Sequence, residues 1–236
     1  LNIDPATEAS YPYLKDYWVV WKKKADGPIQ NPYDGQHMTF EKMLLPTSQN
    51  ISDLAAGTMV KIMENNVPKR FLVLQNNLLV PQSTLLIKET VLSGGYTSTP
   101  PSYLIGQVDA YLTDEYFPLL EESVRNALLE VSITSFDVTE NRKVFILSHD
   151  NMKNIPYFQN QQNRVAVSDS DNSPTTWLLQ DYTENIGGEF SLVQPDGSYF
   201  ILTIIDDLNG IRPAFCLPST TQVSLEPDSQ GDYTLV

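Results

Sequence analysis

The sequence predicts an α+β domain made mainly of antiparallel strands, with one or two helices and long loops. Three observations carry that expectation. T-M-V-K-I-M-E-N-N-V-P-K-R-F-L-V-L-Q (58–75) alternates apolar and polar residues on both sides of Glu64-Asn65-Asn66, the pattern of a hairpin with a polar turn. G-G-E-F-S-L-V-Q-P-D-G-S-Y-F-I-L-T-I (187–204) repeats the arrangement around Pro195-Asp196-Gly197, a turn-forming triplet. Between these hairpins, Phe117, Leu120, Val124, Ala127, Leu128 and Val131 recur at helical spacing, which predicts a helix over 113–131.

The remaining elements fall around that frame. Residues 1–55 read as an N-terminal arm, with an aromatic run Y-P-Y-L-K-D-Y-W-V-V-W-K-K-K (11–24) followed by a turn-rich stretch. The main domain is expected to occupy 56–236. S-T-L-L-I-K-E-T-V-L (83–92) and K-V-F-I-L-S (143–148) read as strands. Thr113 or Asp114 is placed to cap the helix, Glu115 suits its positive end, and Pro118 falls within the tolerated first turns. Residues 151–174 are rich in Asn, Gln, Ser and Asp and read as a long loop, interrupted by Trp177-Leu178-Leu179. Ile211 to Leu217 closes the core, although Arg212 and Pro213 stand inside that strand-like run. Pro removes a ladder donor and a buried guanidinium is costly unless paired. The pair is therefore expected to be structural, with Arg212 bonded to loop carbonyls or a carboxylate and Pro213 at an edge or bulge.

Composition narrows the function classes. The chain has 236 residues, is 41% hydrophobic and carries a formal charge of -14. It is globular in composition, and phosphate neutralisation needs clustered cations, so no nucleic-acid partner is expected. No apolar stretch approaches a bilayer span, and membrane insertion is not expected. A single cysteine, Cys216, permits no intramolecular disulfide. His37 and His149 lack zinc spacing with it, and no metal or cofactor is expected. Asp169-Ser170-Asp171-Asn172 matches only part of a calcium loop. Asp109, Asp114 and Glu115 admit an acid–base hydrolase reading, but carboxylates at a helix start serve equally as dipole partners.

The order G-x-x-V-x-I-x-E-N (57–65), V-D-A-Y-L-T-D-E-Y-F (108–117), V-F-I-L-S (144–148), W-L (177–178) and G-I-R-P-A-F-C-L (210–217) resembles an uncharacterised domain of phage and prophage structural proteins and of some bacterial surface proteins. The likeness covers roughly 56–225. Such domains look like members of the C-type-lectin-like fold, in which the Trp and the Gly-x-Arg strand organise a core beneath long loops that bear the binding surface. This chain has Leu179-Gln180 where Arg-Ser is usual. The formylglycine-generating branch of that fold uses paired cysteines, and Cys216 is alone.

The resemblance implies a non-enzymatic phage virion structural protein of tail, baseplate or head decoration. Its arm would dock on other virion proteins in an oligomeric assembly. The loops would adhere to a host-surface glycan or protein, placing the domain on the outside of the particle. The alternative is a bacterial cell-surface or secreted carbohydrate-binding module. For ligand binding the expected residues are Trp177, Asp181, Tyr182 and Glu184 in loop 160–186, together with Tyr199. The carboxamide-rich stretch Tyr157, Phe158, Gln159, Asn160, Gln161, Gln162 and Asn163 suits sugar recognition.

Overall fold

The computed structural model describes residues 47–96, 103–135, 138–183, 189–202 and 209–236. The expected arm (1–55) lies almost entirely outside the described residues. The chain divides between Thr47 and Ser48, ahead of the expected boundary at 55/56. Ile51 explains the difference: it is fully buried in the core, and its N–H donates to the Thr221 carbonyl at 2.8 Å.

The unit Ser48–Val236 is mixed α+β, dominated by antiparallel strands with short helices. Its first strands are β1 (Ser48–Asn50), β2 (Met59–Glu64), β3 (Val67–Asn76), β4 (Ser83–Lys88) and β5 (Leu92–Tyr96). A ribbon of β6 (Val131–Ser135) and β7 (Val138–Arg142) follows. The chain then forms β8 (Trp177–Thr183), β9 (Glu189–Val193), β10 (Tyr199–Leu202), β11 (Asn209–Ile211), β12 (Ala214–Pro218), β13 (Gln222–Ser224) and β14 (Tyr233–Thr234). One sheet has the order β12-β4-β3-β2-β14 and a second the order β10-β9-β8-β11-β5.

The first sheet grows from the predicted hairpin. Asn65 and Asn66 both take positive φ (48° and 62°), the backbone that a tight two-residue turn requires and that Asn tolerates. Alternation then buries Val60, Ile62 and Glu64 on one face of β2. Every residue of β4 is buried, as befits a strand flanked by β3 and β12 and covered on both faces.

The helix predicted over 113–131 forms differently. Helical backbone starts at Gln107 after an N-cap at Gly106, so Thr113 and Asp114 lie within the run rather than at its start. It widens to a π-helix over Tyr111–Tyr116 and ends in a 3-10 turn at Phe117–Leu119. Pro118 supplies the reason: it has no N–H for residue 114, and its ring would strike that carbonyl. Leu120 is extended and bridges to Glu64, a second helix covers Glu122–Ala127, and Val131 already begins β6. Residues 143–148 are also less regular than expected. Val144, Phe145, Ile146 and Leu147 are buried, but only Phe145 forms a strand-like bridge, to Ala214.

Loop 151–174 contains a helix at His149–Asn154 with a Ser148 capping box, then 3-10 turns at Pro156–Gln159 and Gln161–Arg164. The expected loop 160–186 is corrected more strongly. Its residues 177–183 are β8, an inner strand paired with β9 and β11.

Candidate functional site

The Arg-Pro pair is the corner where the chain changes sheets. β11 belongs to the second sheet and β12 to the first, with Arg212 and Pro213 between them. Pro213 is buried and lies at this corner rather than on an edge strand. The irregular register falls instead between Asn209 and Ile211. Gly210 has to be glycine for space: a Cβ there would sit 2.0 Å from Val91 Cγ1.

Arg212 is only 3% exposed. Its Nε donates to the Lys88 carbonyl at 3.0 Å and Nη2 to the Glu89 carbonyl at 3.2 Å. Its guanidinium carbon lies 4.9 Å from the Trp177 ring centroid, a cation–π arrangement. Nη1 has no hydrogen-bond partner among the described residues. Burial pulls this guanidinium down to about 10, which leaves it charged at neutral pH. The Pro213 carbonyl accepts the Lys88 N–H at 2.8 Å, so the corner grips both sides of one residue's backbone.

That residue carries a second buried cation. Lys88 Nζ is 2.6 Å and 2.7 Å from the two Glu64 carboxylate oxygens, and the Tyr116 hydroxyl donates to Glu64 Oε1. Lys88 is 2% exposed, Glu64 6% and Tyr116 fully buried. Burial is the largest influence on Lys88 and lowers its pKa, with Glu64 opposing. Burial followed by the Glu64 charge pushes Tyr116 up.

The residues expected to bind ligand separate. Trp177 is fully buried. Its Nε1 donates to the Arg164 carbonyl at 3.2 Å and Arg212 covers its face, so it is a core residue and not a stacking platform. Asp181 and Tyr182 lie on β8 rather than on a loop, and Glu184 lies outside the described residues. Tyr199 starts β10 and is half-buried. The Arg164 guanidinium carbon is 4.5 Å from its ring centroid, and the His149 ring meets it edge-on at 4.5 Å.

Arg164 ties that tyrosine to the carboxamide-rich loop. Its Nε donates to Gly197 O and its Nη1 to Phe158 O, both at 2.7 Å. A Cβ at Gly197 would lie 2.2 Å from Gln161 O, so the β9–β10 turn sits directly on the loop. Gln161 Nε2 adds a bond to Asp196 O at 3.1 Å. Gln159, Asn160, Gln161 and Gln162 remain exposed around this clamp, whereas Phe158 is fully buried beneath it. Next to it Phe200 and Ile201 on β10 are 44% and 53% exposed. This surface is the candidate binding site, and sequence reasoning missed Arg164, its organiser.

Of the hydrolase candidates, one is engaged in an ion pair. Asp109 is held by Arg142 through two 2.8 Å bonds. Glu115 is exposed within the π-helical turn. Burial pushes the Cys216 thiol up to about 11, where it is inert as a nucleophile. Asp169 Oδ1 accepts the N–H of the sequence-distant Ser93, and Asp171 Oδ1 accepts the Ser173 N–H in a local turn. Among the described residues no cluster of His, Cys, Asp and Glu is placed to hold a metal ion. No described helix is long and apolar enough to cross a membrane.

A family model described as Domain of unknown function (DUF6273) matches residues 81–219, more than half of the chain. The chain belongs to that family. The matched stretch contains Lys88, Tyr116, Arg164, Trp177 and Arg212 but begins after Glu64. No curated protein and no solved structure matches the chain.

Proposed function

We propose that this chain is a non-enzymatic structural protein of a phage virion, in the tail, the baseplate or a head decoration. Its Ser48–Val236 unit is a C-type-lectin-like domain that adheres to a host-surface glycan. The observation that carries the adhesion reading is the Arg164 clamp. It fixes an exposed loop of four carboxamides to the Tyr199 hairpin and so preorganises donors and acceptors, which lowers the ordering cost of binding. Locked Asp109 and the shielded Cys216 thiol support a binding role over a catalytic one. The virion assignment rests on the ordered motifs ending in G-I-R-P-A-F-C-L. The N-terminal aromatic run would supply the contact to other virion proteins.

Glycan-array and host-cell binding by the full chain test this. Binding that is lost in Arg164→Ala and Gln162→Ala, with unchanged circular dichroism, supports adhesion. Absence of binding by a chain that assembles into particles sinks the adhesion part. Turnover of cell-wall sugars that vanishes in Asp109→Asn overturns the non-enzymatic part. The same surface fits a bacterial cell-surface or secreted carbohydrate-binding module. Detection of the chain in the cell envelope and not in purified particles would select that reading.

A further inference from the structure

We propose that Lys88 and Glu64 condense into an intramolecular isopeptide bond that cross-links β4 to β2. Such a reaction requires an amine that can be uncharged, a carboxyl carbon within reach, a proton donor on the departing oxygen and a dry site. All four coincide here. The two side chains meet across β3 over Phe71, which pairs with Lys88 in register. Nζ lies 5.3 Å from the Phe71 ring centroid and 5.8 Å from that of Tyr116. Burial disfavours the ammonium form of Lys88. The Tyr116 hydroxyl bonds Glu64 Oε1, where it polarises the carboxyl group.

The step balances without any further reactant. A proton passes from the Lys88 ammonium to the Glu64 carboxylate, giving amine and acid. Nζ sits against the carboxylate edge, 2.6 Å and 2.7 Å from its oxygens. Rotation about Cγ–Cδ turns the carbon face toward it. Nζ bonds to Cδ, one Cδ–O bond breaks, and that oxygen leaves as water with two protons that began on Nζ. The amide keeps the third, Tyr116 ends as it began, and nothing is oxidised or reduced.

Intact-mass measurement on the unmodified full chain tests this directly. The expected mass is one water molecule below that of the sequence. Digestion should yield a branched peptide joining the Glu64 and Lys88 segments, with no tryptic cleavage after Lys88. Lys88→Arg keeps the cation but removes the nucleophile, and its mass should be that of its full sequence. A native chain that keeps its full sequence mass after prolonged incubation at neutral pH overturns the proposal. So does a lost water that maps to a succinimide at Asp196-Gly197.

Discussion

The two five-stranded sheets treat their charges and edges in opposite ways. In the first sheet, charge lies inside: Lys88 and Glu64 are paired beneath Tyr116, and β14 is held at the margin by ion pairs. Asp232, almost fully buried, receives Arg70 at 3.0 Å and Lys61 at 3.5 Å. Arg70 also reaches Glu89 at 2.7 Å. The second sheet grades from buried β11 and the buried start of β8 (177–179) to β10, whose only strand partner among the described residues is β9 and whose Phe200 and Ile201 face solvent. A sheet closed by ionic contacts serves as frame, whereas one that ends in an apolar strand offers a surface to something else. Arg212 joins the two, since its backbone turns from one sheet to the other while its side chain spans Trp177 and the end of β4.

The strongest way to break this division is at the joint. Arg212→Ala leaves the Lys88 and Glu89 carbonyls without their donor and uncovers the Trp177 face. The expected loss is about 3–5 kcal/mol in urea denaturation. Arg212→Lys should recover only part of it, because an ammonium cannot reproduce the fork or the stack. A loss below about 1 kcal/mol for the alanine variant would mean that the corner is held by Pro213 and packing alone.

Gly210→Ala tests the same joint sterically. Its Cβ would collide with Val91 Cγ1 and approach Leu92 O at 3.1 Å, and overpacking of this kind costs about 1–3 kcal/mol. Val91→Ala in the same chain should return part of that loss. Additive losses in the double variant would show that the contact is not the cause.

Away from the joint, Asp109→Asn replaces a bidentate charged pair with weaker bonds to Arg142. About 1–2 kcal/mol should be lost, with glycan binding unchanged. Loss of binding at unchanged stability would move Asp109 into the binding site.

The smallest effect concerns the ionic margin of the first sheet. The Lys61 ammonium, 2.5 Å away, and the N–H groups of Gln230 and Asp232 hold the Asp228 carboxyl down to about 2. Its folded pKa lies below the unfolded value of about 3.9, so its contribution is present above that value. The contribution is lost as pH falls through about 4 toward about 2. Asp228→Asn should lower the melting temperature slightly at neutral pH, where the contribution is present, and the difference from the native chain should vanish as pH falls toward about 2. Added salt should shrink the difference, since the pair is exposed.

How far the sequence revealed this structure follows the range of the interactions. Both hairpins were legible because Asn65-Asn66 and Asp196-Gly197 set their turns locally. The structural role of Arg212 was legible from the conflict between a cation, a proline and an apolar run. The helix over 113–131 was misread because its apolar spacing continues past the point where Pro118 forbids the backbone bond. β8 was read as loop because its neighbours in sequence are polar, although its neighbours in space are β9 and β11. Trp177 was assigned to a ligand for the same reason. Lys88 with Glu64, Asp109 with Arg142, and Arg164 with the 197 turn join residues far apart along the chain. No spacing rule announces such pairs.

The pairing of β1 with β13 has a mechanical corollary. Ser48 lies opposite Ser224 in an antiparallel ladder, so chain entry to the unit lies beside the start of its last segment. Tension between residues 48 and 224 would peel the two short strands apart bond by bond instead of shearing them together. Under load β1 would give way first, and Ile51, just behind it, marks where resistance would begin.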